Sequence, residues 1–146
     1  MKISIGSDHA AFDSKQEISE FLRSLAFEVI DHGCYDNQSC DYPDFAAAVS
    51  RAILNGESDK GLLICGTGIG MSIAANRYPG IRAALCYTPE LAELSRRHND
   101  ANVLCMGART QSVDDMKKIL QVWLETDWDG DRHARRLEKI ESNPRG

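Results

Sequence analysis

Hydrophobic positions along the chain switch repeatedly between two periods. Ile3-Ser4-Ile5 is a short β-type run broken by Gly6, while Ile18, Phe21, Leu22 and Leu25 recur at helical spacing within residues 10–25. The alternation then repeats. Residues 27–31 predict a strand and 44–54 a helix, 61–65 a strand and 71–77 a helix. Residues 82–86 and 103–106 predict the last two strands, followed by helices over 89–97 and 113–125. Five strands alternating with five helices is the pattern of βαβ units, whose right-handed crossovers build a parallel sheet covered on both faces. The predicted fold class is α/β: a three-layer, Rossmann-like, doubly wound sandwich, with an added C-terminal helix over 132–140. Strand 61–65 is a continuous apolar run, as two covered faces require. At 146 residues the chain suits one domain, 1–146.

The commonest order for five such strands is 2-1-3-4-5, in which winding reverses between strands 1 and 3 and opens a crevice at their carboxyl ends. Two loops face that crevice: Gly6-Ser7-Asp8-His9 after strand 1 and Gly66-Thr67-Gly68-Ile69-Gly70 after strand 3.

Composition narrows the function classes. A net charge of -5 argues against a nucleic-acid partner, since such domains usually present a basic face. The longest apolar runs fall far short of the ~20 residues that span a bilayer, and no secretory signal pattern opens the chain. A cytoplasmic protein is expected. The cysteines at 34, 40, 65, 86 and 105 form an odd set with no CxxC pair, which indicates reduced thiols and neither a disulfide framework nor a zinc finger. Cys86 and Cys105 read as small apolar fillers on buried strands.

The second loop carries the clearest chemistry. Its three glycines let backbone N–H groups approach an oxyanion at a helix N-terminus, but the spacing is neither GxGxxG nor GxxxxGK[ST], which weakens nucleotide readings. Cys65 heads this loop, where a helix N-terminus favours a thiolate able to act as a base; a buried strand cysteine is the competing account. Thr67 is placed to hydrogen-bond the sulfur or to satisfy the turn. Asp8 and His9 form the other wall, although an aspartate after a strand also serves as a helix cap. His98 ends the fourth predicted helix, a position a histidine also takes to suit the helix dipole. Arg132, Arg135 and Arg136 make either an anion site or a solvated helix face paired with Glu138 and Glu141.

Taken in order, Ser7-Asp8-His9-Ala10, Asp41-Tyr42-Pro43, Cys65-Gly66-Thr67-Gly68-Ile69-Gly70, Arg96-Arg97-His98-Asn99, Gly107-Ala108-Arg109 and Arg132-His133 with Arg136 resemble the type B ribose-5-phosphate isomerase family. The resemblance runs almost end to end. It implies an aldose-ketose isomerase of the pentose phosphate pathway that needs no metal or cofactor and moves a proton between C1 and C2 of its sugar phosphate through an enediolate. It further implies Cys65 as base, the N–H groups of residues 66–70 on the enediolate oxygen, and His98 in ring opening. Asp8, Tyr42 and Asn99 would hold sugar oxygens; His9, Arg109, Arg132 and Arg136 would hold the phosphate. Some members replace the cysteine with a glutamate after the third glycine; here that position is Met71.

Two rivals stay open: the same chemistry on a six-carbon substrate such as allose 6-phosphate, and a non-catalytic phosphate-ligand sensor. A helix that starts at the carboxyl edge of the sheet and runs back leaves His98 at the opposite edge from Cys65. The site is therefore expected to be shared across a homodimer.

Overall fold

The computed structural model describes residues 1–142, in the order β1 Lys2–Ser7, a 3₁₀ turn His9–Ala11, α1 Phe12–Ser24, β2 Glu28–Asp31, α2 Tyr42–Leu54, β3 Lys60–Cys65, α3 Ile69–Ala75, β4 Ala83–Leu85, α4 Pro89–Asn99, β5 Val103–Gly107, α5 Val113–Glu125 and α6 Arg132–Ser142. Each strand pairing is parallel. The three-layer α/β class is as expected. The C-terminal helix over 132–140 forms and runs two residues further.

The order corrects the expected 2-1-3-4-5: it is β2-β1-β3-β5-β4. β5 is buried at all five positions and takes the interior place, whereas β4 has three half-buried residues and takes the edge. The reversal at β1/β3 survives, because β1 still pairs with β2 on one side and β3 on the other. A second reversal follows: the chain passes outward from β3 to β4 and back inward to β5. Right-handed crossovers running in opposite directions fall on opposite faces, so α3 and α4 cover different sides of the sheet.

The two faces are written into the period-two alternation of the inner strands. Leu62 and Ile64 of β3 and Leu104 and Met106 of β5 pack with Ile18 and Leu22 of α1, Ala92 of α4 and Met116, Leu120 and Trp123 of α5. Leu63 and Cys65, with Val103 and Cys105, face Ala46 and Val49 of α2 and Met71 and Ala75 of α3. Cys65 thus points toward the α2/α3 side. Cys86 and Cys105 are buried as the fillers expected of them, and burial pushes the Cys86 thiol up to about 11 and that of Cys105 in the same direction.

Candidate functional site

The carboxyl ends of β1, β3 and β5 surround an open hollow of ≈ 460 Å³, lined by Asp8, Tyr42, Cys65, Gly66, Thr67, Ile69, Gly70, Ile73 and Arg109. Cys65 ends β3 only 4% exposed, and its Sγ accepts the Gly68 N–H at 3.2 Å. That bond depends on the turn: Gly68 has φ +81°, and a Cβ there would lie 2.9 Å from the Met106 carbonyl. α3 begins at Ile69, two residues earlier than the spacing predicts, so Ile69 and Gly70, which line the hollow, belong to its first turn. Thr67 does not bond the sulfur; its Oγ1 accepts the Ile69 N–H at 3.2 Å.

Asp8 takes the N-cap position of the 3₁₀ turn, but its carboxylate does not cap it. Its side chain makes no capping bond to the turn it precedes, it is 8% exposed, and its Oδ1 is buried without a partner among the described residues. A buried carboxylate oxygen in that state is costly unless a ligand donor reaches it. His9 accepts the Cys40 N–H on Nδ1 at 3.2 Å, so the neutral ring carries its proton on Nε2. Tyr42, at the start of α2, lays its ring over Gly70, and the Arg109 guanidinium lies over Gly66. The β3–β5 pairing sets this: Cys65 is in register with Gly107, and Arg109 donates its N–H to Gly66 O at 2.9 Å.

The remaining candidates sit elsewhere. Gly61, at the start of β3, donates to Asn102 O at 2.9 Å, and Arg82 Nε donates to Asn99 O at 3.0 Å, so the end of α4 lies at the amino edge of the sheet. Four residue steps along β3 separate that edge from Cys65, about 13 Å. His98, Asn99, Arg132 and Arg136 belong to this second group, with α6 tied to it by Arg82 Nη1 donating to Glu141 at 3.0 Å. Glu141 is thus engaged away from the arginines of its own helix. One chain brings together Asp8, Tyr42, the loop Cys65 to Gly70 and Arg109, with His9 next to Asp8 and bonded to Cys40, and holds the other four apart.

Two residues beside these candidates carry no role read from the sequence, although His133 stands in the Arg132-His133 motif. His133 stacks on His98 with ring centroids 4.5 Å apart and 17° between planes, and burial, then Arg132, His98 and Arg136, lower its proton affinity. Its signal was present in its place one residue after Arg132. Tyr87 donates its hydroxyl to Thr67 O at 2.6 Å, clamping the glycine loop from beyond β4; nothing in its local sequence marks it.

The model of the Ribose/Galactose Isomerase family matches residues 3–140. Ribose-5-phosphate isomerase B of Escherichia coli is 47% identical over 139 residues, covering 95% of this chain and 93% of that protein. A D-erythrulose-4-phosphate isomerase of Pectobacterium atrosepticum is 39% identical over 142 residues, 96% and 93% of the two chains. The solved structure of Clostridium thermocellum ribose-5-phosphate isomerase B superposes with a TM-score of 0.97 at 49% identity, covering 99% and 97%. The glycine loop headed by Cys65 and the orphaned Asp8 carboxylate that shares its hollow belong to a fold common to these proteins over nearly its whole length, and the chain is a member of the ribose/galactose isomerase family.

Proposed function

We propose that the chain interconverts ribose 5-phosphate and ribulose 5-phosphate. The observation that carries this reading is the pairing of the Cys65 thiol, held by the Gly68 N–H, with the unpartnered Asp8 Oδ1 in one hollow. Cys65 as thiolate removes the C2 proton of the open-chain aldose. The electron pair forms the C1–C2 double bond, and the charge arriving on the C1 oxygen meets the N–H groups of the glycine loop; each such donor contributes about 3 kcal/mol. Returning the proton to C1 while O2 passes its own proton to O1 gives the ketose. Asp8 and Tyr42 hold sugar hydroxyls, and His9 and Arg109 receive the phosphate, for which the guanidinium fork is suited.

His98, Asn99, Arg132 and Arg136 complete this site from a second copy of the chain. Ring opening then falls to His98 of the partner subunit, and the acting unit is a cytoplasmic homodimer whose five cysteines stay reduced. Exposed Ile69, Ile73 and Tyr42 around the hollow supply apolar surface for the second copy to cover. The test has two arms. Solvent exchange of the substrate C2 proton should occur with the native chain and vanish in Cys65→Ala; a sensor would bind ligand with no exchange. Mixing Cys65→Ala with His98→Asn subunits should restore about a quarter of native activity at equal ratio if sharing holds, because half the dimers are mixed and each has one intact site; no recovery sinks the shared site.

The erythrulose-phosphate relative favours a second reading, a substrate of different carbon number. Side-by-side kcat/KM values on four-, five- and six-carbon sugar phosphates decide it.

A further inference from the structure

His98, Asp129 and His133 meet where the end of α4, the 126–131 loop and the start of α6 converge. The isomerase chemistry above gives Asp129 no task. One ligand-capable atom from each side chain, two ring nitrogens and a carboxylate oxygen, lies within 4.8 Å of the others. The arrangement is built by the backbone. Asp129 N–H donates to Arg97 O at 3.1 Å, Arg97 Nε donates to the two Asp129 carboxylate oxygens at 3.3 and 3.2 Å, and His133 N–H donates to Gly130 O at 3.1 Å. The loop is thereby anchored to α4 beside His98, and His133 is buried against it.

Two imidazoles and one carboxylate, with further positions open to solvent, make the donor set of zinc-class ions rather than of magnesium or calcium, which take oxygen ligands. Nitrogen–metal bonds of about 2.0–2.1 Å set tetrahedral donors about 3.4 Å apart, so a pair at the 4.8 Å limit closes by about 1.4 Å and the stacked His98 and His133 rings tilt toward a common point. The exposed Asp129 side chain and the half-buried His98 have room to do so. Arg97, Arg132 and Arg136 stand around the cluster and oppose a cation, so this site binds more weakly than a closed structural zinc site.

We propose that His98, Asp129 and His133 form a binding site for one zinc-class divalent cation, and that its occupancy inhibits isomerisation by engaging the His98 ring nitrogen. The inhibitory half rests on the role given to His98 under the proposed function; the binding half stands without it.

The experiment titrates ZnCl₂ into the full-length protein in phosphate-free buffer by calorimetry, with CoCl₂ as a spectroscopic stand-in. One zinc per chain is expected, with affinity reduced about tenfold or more in Asp129→Asn and in His133→Gln. The cobalt complex should show d–d bands without a thiolate charge-transfer band. Zinc should suppress turnover of ribose 5-phosphate in the native chain, a chelator should restore it, and Asp129→Asn should keep basal activity while resisting zinc. Unchanged affinity in both variants, or a thiolate band that moves the ion to the cysteines, overturns the site. Zinc bound as expected with turnover unaffected overturns the inhibition alone. A metal-free chain that never exchanges the C2 proton refutes the isomerase reading and leaves the calorimetric result intact.

Discussion

Gly107→Ala tests whether the β5 end sets the geometry of the Cys65 loop. Gly107 lies in register with Cys65, and a Cβ there would sit 2.6 Å from the Thr67 carbonyl carbon and oxygen, with Thr110 Oγ1 nearer still. Ordinary contact begins near 3.4 Å, so the Thr67 turn must retreat by about 0.8 Å. The Gly68 N–H that bonds Cys65 Sγ belongs to that turn and moves with it. Overpacking of this kind costs about 1–3 kcal/mol, a fall in Tm of roughly 2–12 °C for a chain of this size. Displacing a reacting group by close to an ångström costs about a hundredfold, so kcat/KM on ribose 5-phosphate should drop by about 10²-fold while circular dichroism stays native. Gly66→Ala gives the contrast, because its Cβ meets only the Arg109 side chain, at 3.4 Å, and lowers Tm less. A folded Gly107→Ala protein with kcat/KM within about threefold of native would refute this account of the loop.

Further outcomes follow from the same contacts. Lys15 is fully buried and bonds both Asp31 oxygens at 2.7 Å, while Asp31 is 23% exposed and keeps the Gly33 N–H; Asp31→Asn should therefore cost about 3–5 kcal/mol in urea unfolding and Lys15→Met clearly less, the reverse order counting against the ion-pair reading. Burial holds His32 below its ordinary 6.5 against the pull of Asp31 and Glu57, and its Nε2 meets Ser4 Oγ at 2.9 Å. The unfolded chain takes up that proton first, so this contribution to stability is complete above 6.5 and is lost as pH falls through the lower folded value; His32→Gln should flatten Tm against pH in that window, and an unchanged slope contradicts it. Cys86, pushed up to about 11, and Cys105, pushed up further, should resist iodoacetamide in the native protein at about pH 8, and mass-spectrometric labelling of either would show the fold more open than described.

Much of this was legible from local pattern because strand and helix periods depend on neighbours in sequence. The two loops at the β1/β3 reversal, and with them Asp8, His9 and Cys65, followed from topology alone. Helix ends were less legible: α3 starts at Ile69 because Gly68 turns the chain there, and two glycines in a row of three hide a helical first turn. Tyr87 was invisible because its bond to Thr67 spans twenty residues and leaves no periodic trace.

The strand order was missed although its signal was in the composition. Val103 to Gly107 is a longer uninterrupted apolar run than the three residues of β4, and a strand flanked on both sides must be apolar on both faces, whereas an edge strand need not be. Placing β5 beside β3 has two effects on the site. It carries Gly107 and Arg109 to the rim of the Cys65 loop, which the order 2-1-3-4-5 would have held one strand away. It also puts α4 on the face opposite α3; under either order α4 runs back to the amino edge, with His98 about 13 Å from Cys65 along the strand direction. The shift of β5 thus brings Arg109 beside Cys65, while the direction of α4, and not the strand order, holds His98 apart from it.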